Sequence, residues 1–351
     1  MDLEKLRTEI DDTDTMILEL IKKRTEIAEE IGKYKITNDI PIRNVPVEEN
    51  VVKKYKNFAE RNDINPSTVE IICRALIQES VEKQTALPHS ELQLKNISII
   101  GGAGKMGKWI FDLLTNVGHK VNIIDPSLNN GLTIKDTKTS DVVIVSVPIS
   151  AVNDILNELD DICKKDTLIF DIASLKSPIV KTLKRMAKIR KICSIHPMFG
   201  PSARSMYNRN LIICDCGNSE AVSEAKILFD NKGANIRLMD LDSHDDYMSY
   251  VLGLSHAVNI AFFTVLERSG YSFDDMCSVA STTFIKNMET NRSVASEDPR
   301  LYYDIQHLNI NRDKLWSLFS DAIKDLKKAS LDGNPTRFIE LMDLGKTYFK
   351  D

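Results

Sequence analysis

Apolar residues at Leu3, Leu6, Ile10, Ile17, Leu20, Ile21, Ile27 and Ile31 recur at helical spacing, with charged residues between them. No proline or glycine interrupts this pattern before Gly32. It predicts one helix of roughly 33 residues, well above the mean helix length. The stretch Asn38 to Pro46 ends it, and Pro46 suits the first turn of a second helix. Asn65-Pro66 opens a third, with Asn65 as its N-cap. Three helices of unequal length cannot bury so long a first helix, whereas pairing with a second copy of the chain would. The period then changes. Ile97-Ser98-Ile99-Ile100 is a short β-branched run, followed by a glycine-rich turn and an amphipathic stretch over 108–117. Lys120 to Ile124, Asp141 to Pro148 and Thr167 to Asp171 read as further strands. The run after Asp141 is apolar enough for a parallel strand covered on both faces. Helical periodicity returns over 244–269, 273–293, 298–309, 311–329 and after Pro335. The pattern predicts a multidomain chain: an all-α three-helix unit (1–88), an α/β unit (97–238) and a second all-α unit (239–351).

Composition narrows the function classes. The chain has 351 residues, of which 42% are hydrophobic and 28% charged, as in ordinary soluble proteins. A net charge of −5 with no basic block argues against nucleic acid as the main partner. No uninterrupted apolar run reaches the roughly 18 residues of a membrane span. Asp2, Glu4 and Glu9 among the first apolar residues are not expected of a signal peptide. The six cysteines lie in apolar segments without zinc spacing, which predicts reduced thiols, no metal and a cytoplasmic location.

The α/β unit carries the more specific chemistry. Gly102, Gly104 and Gly107 form G-x-G-x-x-G between a strand and a helix, the order required of a dinucleotide-binding Rossmann turn. The helix N-terminus would hold the pyrophosphate. Asp125 ends the second strand, where an acid accepts from the ribose 2′-hydroxyl and favours NAD over NADP. His196 lies at a strand end bounded by proline and glycine. Such folds bind ligands at the carboxyl edge of the sheet, so His196 is a candidate base and Ser174, beside the preceding strand end, could orient it.

The helical front unit offers cations instead. Arg24 and Lys35 return to nearly one face, about 16 Å apart along the axis, and could grip one small anion from both ends. Arg7, about 26 Å from Arg24 and on another face, could serve only a neighbour's ligand. Ser80 and Gln84 form an i,i+4 polar pair. The same residues would also suit a solvated dimerisation hairpin, and spacing alone leaves both readings open.

Residues 1–87 resemble the all-helical chorismate mutases through Leu6-Arg7, Lys23-Arg24, Ile31-Gly32-Lys33-Tyr34-Lys35, Pro41-Ile42-Arg43, Glu48 and Glu79-Ser80-Val81-x-x-Gln84. The resemblance implies an intertwined homodimer. Arg24 and the other subunit's Arg7 would clamp the two carboxylates of chorismate, with Ser80 beside one of them. Lys35 and Gln84 would bond the ether oxygen, and Glu48 the ring hydroxyl. Asn44 stands where an aspartate is frequent and keeps a hydroxyl-bonding amide. Val47 stands where an arginine is frequent and removes a charge that would hold Glu48. Residues 97–351 resemble prephenate dehydrogenases of the form fused behind a chorismate mutase. The motifs are Gly101-Gly102-x-Gly104-Lys105-Met106-Gly107, Val145-Ser146-Val147-Pro148-Ile149, Asp171-x-Ala173-Ser174-x-Lys176, His196-Pro197-Met198-Phe199-Gly200-Pro201, His244-Asp245, Leu254-Ser255-His256-Ala257 and Asp298-Pro299-x-Leu301-Tyr302.

This second resemblance implies NAD held at Gly102 to Gly107, Asp125 and Val147. It implies that His196 takes the proton of the prephenate 4-hydroxyl, fixed by Ser174, while His256 contacts the substrate. Lys286 falls where the family places a carboxylate-binding arginine, with Arg292 nearby. Tyrosine feedback is expected, if present, at the dehydrogenase cleft. Arogenate is the alternative dehydrogenase substrate. The alternative for the front helices is an inactive oligomerisation or effector-binding module.

Overall fold

The structure, a computed structural model, describes residues 2–87, 93–230 and 232–349. Residues 88–92, at the junction expected between the first two units, therefore lie outside the described residues. The chain divides into two compact units. The first comprises Met1–Val147, Ala151–Ala173 and Lys181–Met239, and the second Pro148–Ser150, Ser174–Val180 and Asp240–Asp351.

The first unit opens with α1 (Leu3–Thr37), α2 (Val45–Arg61) and α3 (Pro66–Thr85). Asn44 and Asn65 cap α2 and α3, accepting from the backbone N–H of Val47 and Ser67. The three helices close on a small core of Ile42, Val52, Cys73, Ile77 and Val81. Helix α1 is too long for that core: only Ala28 and Gly32 are buried along it. Leu3, Leu6, Ile10, Ile17, Leu20, Ile27 and Ile31 are all exposed.

The α/β part is a seven-stranded sheet in the order β2-β1-β3-β4-β5-β6-β7. Its strands are β1 (Asn96–Ile100), β2 (Lys120–Ile124), β3 (Val142–Val145), β4 (Leu168–Asp171), β5 (Ile192–Pro197), β6 (Asn210–Asp215) and β7 (Asn235–Asp240). The first five pair in parallel, and β6 runs antiparallel to β5. Strands β3 and β4 are buried throughout, which is why they read as unbroken apolar runs. Helices α4 (Lys105–Asn116), α5 (Ile149–Ile162), α6 (Val180–Met186) and α7 (Ser219–Phe229) complete this part of the chain. The core runs from Ile99, Ile110 and Leu114 through Ile144, Phe170 and Ile195 to Ile213, Leu228 and Phe229.

The second unit is helical: α8 (His244–Met248), α9 (Ser255–Arg268), α10 (Phe273–Ser278), α11 (Thr282–Ala295), α12 (Pro299–His307), α13 (Arg312–Leu331) and α14 (Thr336–Tyr348). Two expectations change here. The segment expected as one helix over 273–293 is two, because the Ser281 hydroxyl accepts from Phe284 N–H and starts a new helix at Thr282. Between α8 and α9 the chain makes a π-helical turn, Ser249–Leu254, so His244–Arg268 is one continuous helical run. By length and composition this run is apolar enough to cross a membrane. It is not an uninterrupted apolar string, because serine, histidine and asparagine break it without adding charge. All six cysteines are free, and five of them are buried.

Two candidate active sites

The first site is a cavity of about 350 Å³ among α1, α2 and α3, whose lining includes Arg24, Lys35, Asn44, Glu48, Ser80 and Gln84. Three helices deliver these side chains, so no sequence window contains the site. Arg24 Nη1 donates to the Ser80 hydroxyl at 2.5 Å and to the Leu76 carbonyl at 2.7 Å, and this fixes the guanidinium against α3. Lys35 Nζ donates to the Ile42 carbonyl at 2.6 Å. Burial pulls the Lys35 ammonium below the usual lysine range, and the Glu48 carboxylate partly opposes the shift. Gln84 is buried, and its side-chain oxygen has no protein partner. An amide left open in a cavity wall suits completion by a ligand. Gly32 lets α1 and α3 approach closely: a Cβ there would meet the Gln84 side chain at 2.8 Å.

Arg7 is absent from this cavity. It is exposed and pairs with Glu4 on its own helix at 2.8 Å. Asn44 lines the cavity while its side-chain oxygen caps α2 at 3.2 Å. Val47 does remove a charge, but Glu48 is still held. Arg43 grips it from two nitrogens, Nε to Oε1 at 3.2 Å and Nη2 to Oε2 at 3.0 Å. Arg43 was not singled out from sequence. The only signal was its place in Pro41-Ile42-Arg43.

The second site begins at the turn after β1. Gly101 adopts φ +77°, and a Cβ there would lie 2.3 Å from the Ser146 carbonyl. A Cβ at Gly107 would lie 2.5 Å from the Gly101 carbonyl, and one at Gly102 would meet Ile123 at 2.7 Å. The turn therefore needs glycine at 101, 102 and 107, and Gly101 lies outside the three of the motif. Gly104 is the N-cap of α4 and brings no side-chain cap, so Lys105 and Met106 open a helix whose first N–H groups lack a side-chain acceptor. Val147 follows β3, and the β1–β3 boundary is where the strand order reverses. That crevice is the dinucleotide position in such sheets.

Asp125 follows β2 and accepts from Ala103 N–H at 3.1 Å and from the Ser127 hydroxyl at 2.7 Å. Burial would raise its pKa, but the hydrogen bonds from Ser127 and Ala103 win and hold it below the usual carboxylate range. A carboxylate accepts up to about four hydrogen bonds, so room remains for a ribose hydroxyl. The glycine cradle, uncapped α4 and ionised Asp125 fit a dinucleotide.

His196 is buried near the carboxyl end of β5. Beside it, Asp171 ends β4 and accepts from the Ser194 hydroxyl at 2.5 Å and from Ala173 N–H at 2.9 Å.

In the second unit, Ser174 opens the segment 174–180, which Asp245 anchors through Lys176 N–H at 2.9 Å and Ser177 N–H at 2.7 Å. His244 Nδ1 lies 2.7 Å from the same carboxylate. Burial opposes ionisation of Asp245, yet these partners carry its pKa down to about 2. His256 on α9 is buried, stacks on Tyr302 with ring centroids 4.0 Å apart, and has no partner for Nδ1. Burial lowers its pKa to about 4, so it is neutral near pH 7. Lys286 is exposed on α11, and Arg292 lies over the Phe273 ring at 5.5 Å. Among the described residues, no group of three or more His, Cys, Asp or Glu could hold a metal ion.

Three family models match successive stretches of the chain. Residues 6–85 match the chorismate mutase type II family, 114–238 the nucleotide-binding domain of prephenate dehydrogenase, and 240–344 its dimerization domain. The chain is 26% identical over 308 residues to the T-protein of Enterobacter agglomerans, covering 87% of this chain and 81% of that protein. It is 26% identical over 306 residues to the T-protein of Haemophilus influenzae, covering 86% and 80%. A crystal structure of prephenate dehydrogenase from A. aeolicus, in complex with hydroxyphenyl propionate and NAD+, superposes with a TM-score of 0.58 at 20% identity. It covers 74% of this chain and all of that one.

Proposed function

From the premise that the chain belongs to the bifunctional chorismate mutase–prephenate dehydrogenase family, we propose that its two reactions of tyrosine biosynthesis run at two separate sites, built from the residues above. It rearranges chorismate to prephenate and oxidises prephenate with NAD. The observation that carries the two-site reading is the convergence of Arg24, Lys35, Glu48, Ser80 and Gln84 on one cavity, far in sequence from the glycine turn.

The rearrangement is unimolecular and needs no nucleophile or proton transfer. Catalysis must come from holding a compact conformer and stabilising negative charge on the ether oxygen as the carbon–oxygen bond breaks. Lys35 is suited to that oxygen as a fixed cation, and Gln84 as an amide donor. Arg24, already braced by Ser80, takes one carboxylate. Arg7 takes the other from the second subunit of a homodimer, whose helix would also cover the exposed face of α1. Glu48 and the free end of Asn44 receive ring hydroxyl chemistry.

For the dehydrogenase reaction, the glycine turn and Asp125 would hold NAD, which would supply the acceptor for the hydride at C4. His196 takes the 4-hydroxyl proton, so it must be neutral to act, and the family resemblance alone gives Ser174 an orienting role. Loss of CO2 returns the bond electrons to the ring, which becomes the phenol of 4-hydroxyphenylpyruvate. His256 and Lys286 are the proposed substrate contacts, by the family resemblance alone. Arogenate is the alternative substrate of this site, tyrosine feedback, where present, would act at it, and a cytoplasmic location belongs to the same reading.

Purified protein assayed for chorismate loss without NAD, and for prephenate-dependent NADH formation, tests the assignment. Lys35→Ala should lower the first rate at least about a hundredfold. His196→Asn should abolish the second. Mutase turnover unaffected by Lys35→Ala would reject the cavity as its site, leaving the front helices as an oligomerisation module.

A further inference from the structure

The wall of the mutase cavity behind Glu48 is not built by the three helices alone. Arg43 spends Nε and Nη2 on Glu48, and its Nη1 donates to the Asn235 side-chain oxygen at 3.1 Å and to the Gly233 carbonyl at 3.4 Å. Its guanidinium lies over the Tyr207 ring, 4.9 Å from the centroid. The Tyr207 hydroxyl reaches Glu48 Oε2 at 3.4 Å, and the same ring packs against the front-unit core of Ile42, Val52, Cys73, Ile77 and Val81. Tyr207, Gly233 and Asn235 all belong to the α/β part of the chain, close to β6 and β7. The Arg43 and Glu48 side chains are only 16% and 14% exposed, so this ion pair is largely shielded from solvent and its geometry is fixed by its neighbours.

We propose that Arg43, clamped by Asn235, the Gly233 carbonyl and Tyr207 of the nucleotide-binding domain, is a positioning residue that sets the Glu48 carboxylate for the mutase reaction. The claim rests on the cavity being the mutase site. A carboxylate on a helix N-terminal turn has several rotamers, and the one observed for Glu48 lines the cavity while paired with Arg43. Two parallel N–H donors select that rotamer, but a free arginine is itself mobile. The α/β part removes that mobility by occupying the third nitrogen and one face of the guanidinium. Mutase efficiency thereby depends on residues of the α/β part that lie outside the cavity lining.

The experiment is a mutant cycle on the full-length chain, with chorismate as substrate and no NAD. Asn235→Ala and Tyr207→Leu should each lower mutase kcat/KM by about tenfold, the size of one charge-assisted hydrogen bond. Tyr207→Phe, which keeps the ring under the guanidinium, should retain most of the activity. Prephenate oxidation should stay within about twofold in all three, which also reports folding. In a Glu48→Gln background the Asn235→Ala change should cost nothing further, because its effect passes through that carboxylate. Additive losses, or unchanged mutase kinetics in Asn235→Ala and Tyr207→Leu, would overturn the proposal. So would unchanged turnover in Glu48→Gln. Lys35→Ala separates the two levels: if it abolishes turnover while the cycle is additive, the positioning claim alone fails. If Lys35→Ala is active, the cavity assignment fails with it.

Discussion

Lys35 and His256 show how burial tunes single residues in opposite halves of the chain. Each loses affinity for its proton because the surroundings desolvate the charged form. For Lys35 the charge is the working state, so mutase activity should fall as pH rises, with an alkaline limb below the ordinary lysine range. Lys35→Arg should move that limb upward, and an unmoved limb would assign it elsewhere. For His256 the neutral form is the stable one down to about pH 4. The acid limb of prephenate oxidation above pH 5 must then come from another group. In His256→Gln it should stay at the same pH while KM for prephenate rises. Glycine chemistry and the His-Pro run made the dehydrogenase residues legible in the sequence. Arg43 was not, because its partners Asn235 and Tyr207 lie more than 160 residues away, and no periodicity relates them.

At the scale of elements, segment 174–180 depends on one carboxylate. Asp245 accepts from the backbone N–H of both Lys176 and Ser177. Its folded pKa is depressed, so the stability it contributes is fully present above about pH 4 and is lost as pH falls through about 2. That contribution is about 2 kcal/mol at pH 7. Asp245→Ala should lower the unfolding free energy in urea by this amount or more at neutral pH, and the gap should narrow in acid. An unchanged gap at pH 2 would remove the carboxylate as its origin. Helix starts were readable at Pro46 and Asn65-Pro66, because proline and a capping amide act locally. The split between α10 and α11 escaped because Ser281 is one polar residue within a continuing helical period, and only its bond to Phe284 N–H shows that it caps.

On the scale of the whole molecule, α1 leaves ten large apolar side chains exposed, and full burial of one such side chain contributes about 1.5–3 kcal/mol. Arg7 lies at the far end of the same helix, away from the cavity. A second subunit would account for both, and mixing variants tests it. Arg7→Ala and Lys35→Ala chains, each inactive as a mutase alone, should recover about a quarter of wild-type activity when mixed, since half the dimers carry one intact pocket of two. No recovery after subunit exchange would place Arg7 outside the site.

The sequence by itself determined the order of units, the glycine turn, the candidate base and most cations of the mutase cavity. Those features rest on local rules: periodicity, capping, and backbone angles that only glycine adopts. Only the tertiary structure decided that Glu48 answers to Arg43, that Arg43 answers to the α/β part of the chain, and that Asp245 ties down 174–180. Such pairings are set by how separate elements pack, and packing relates residues by distance in space, which the one-dimensional order of the chain does not encode.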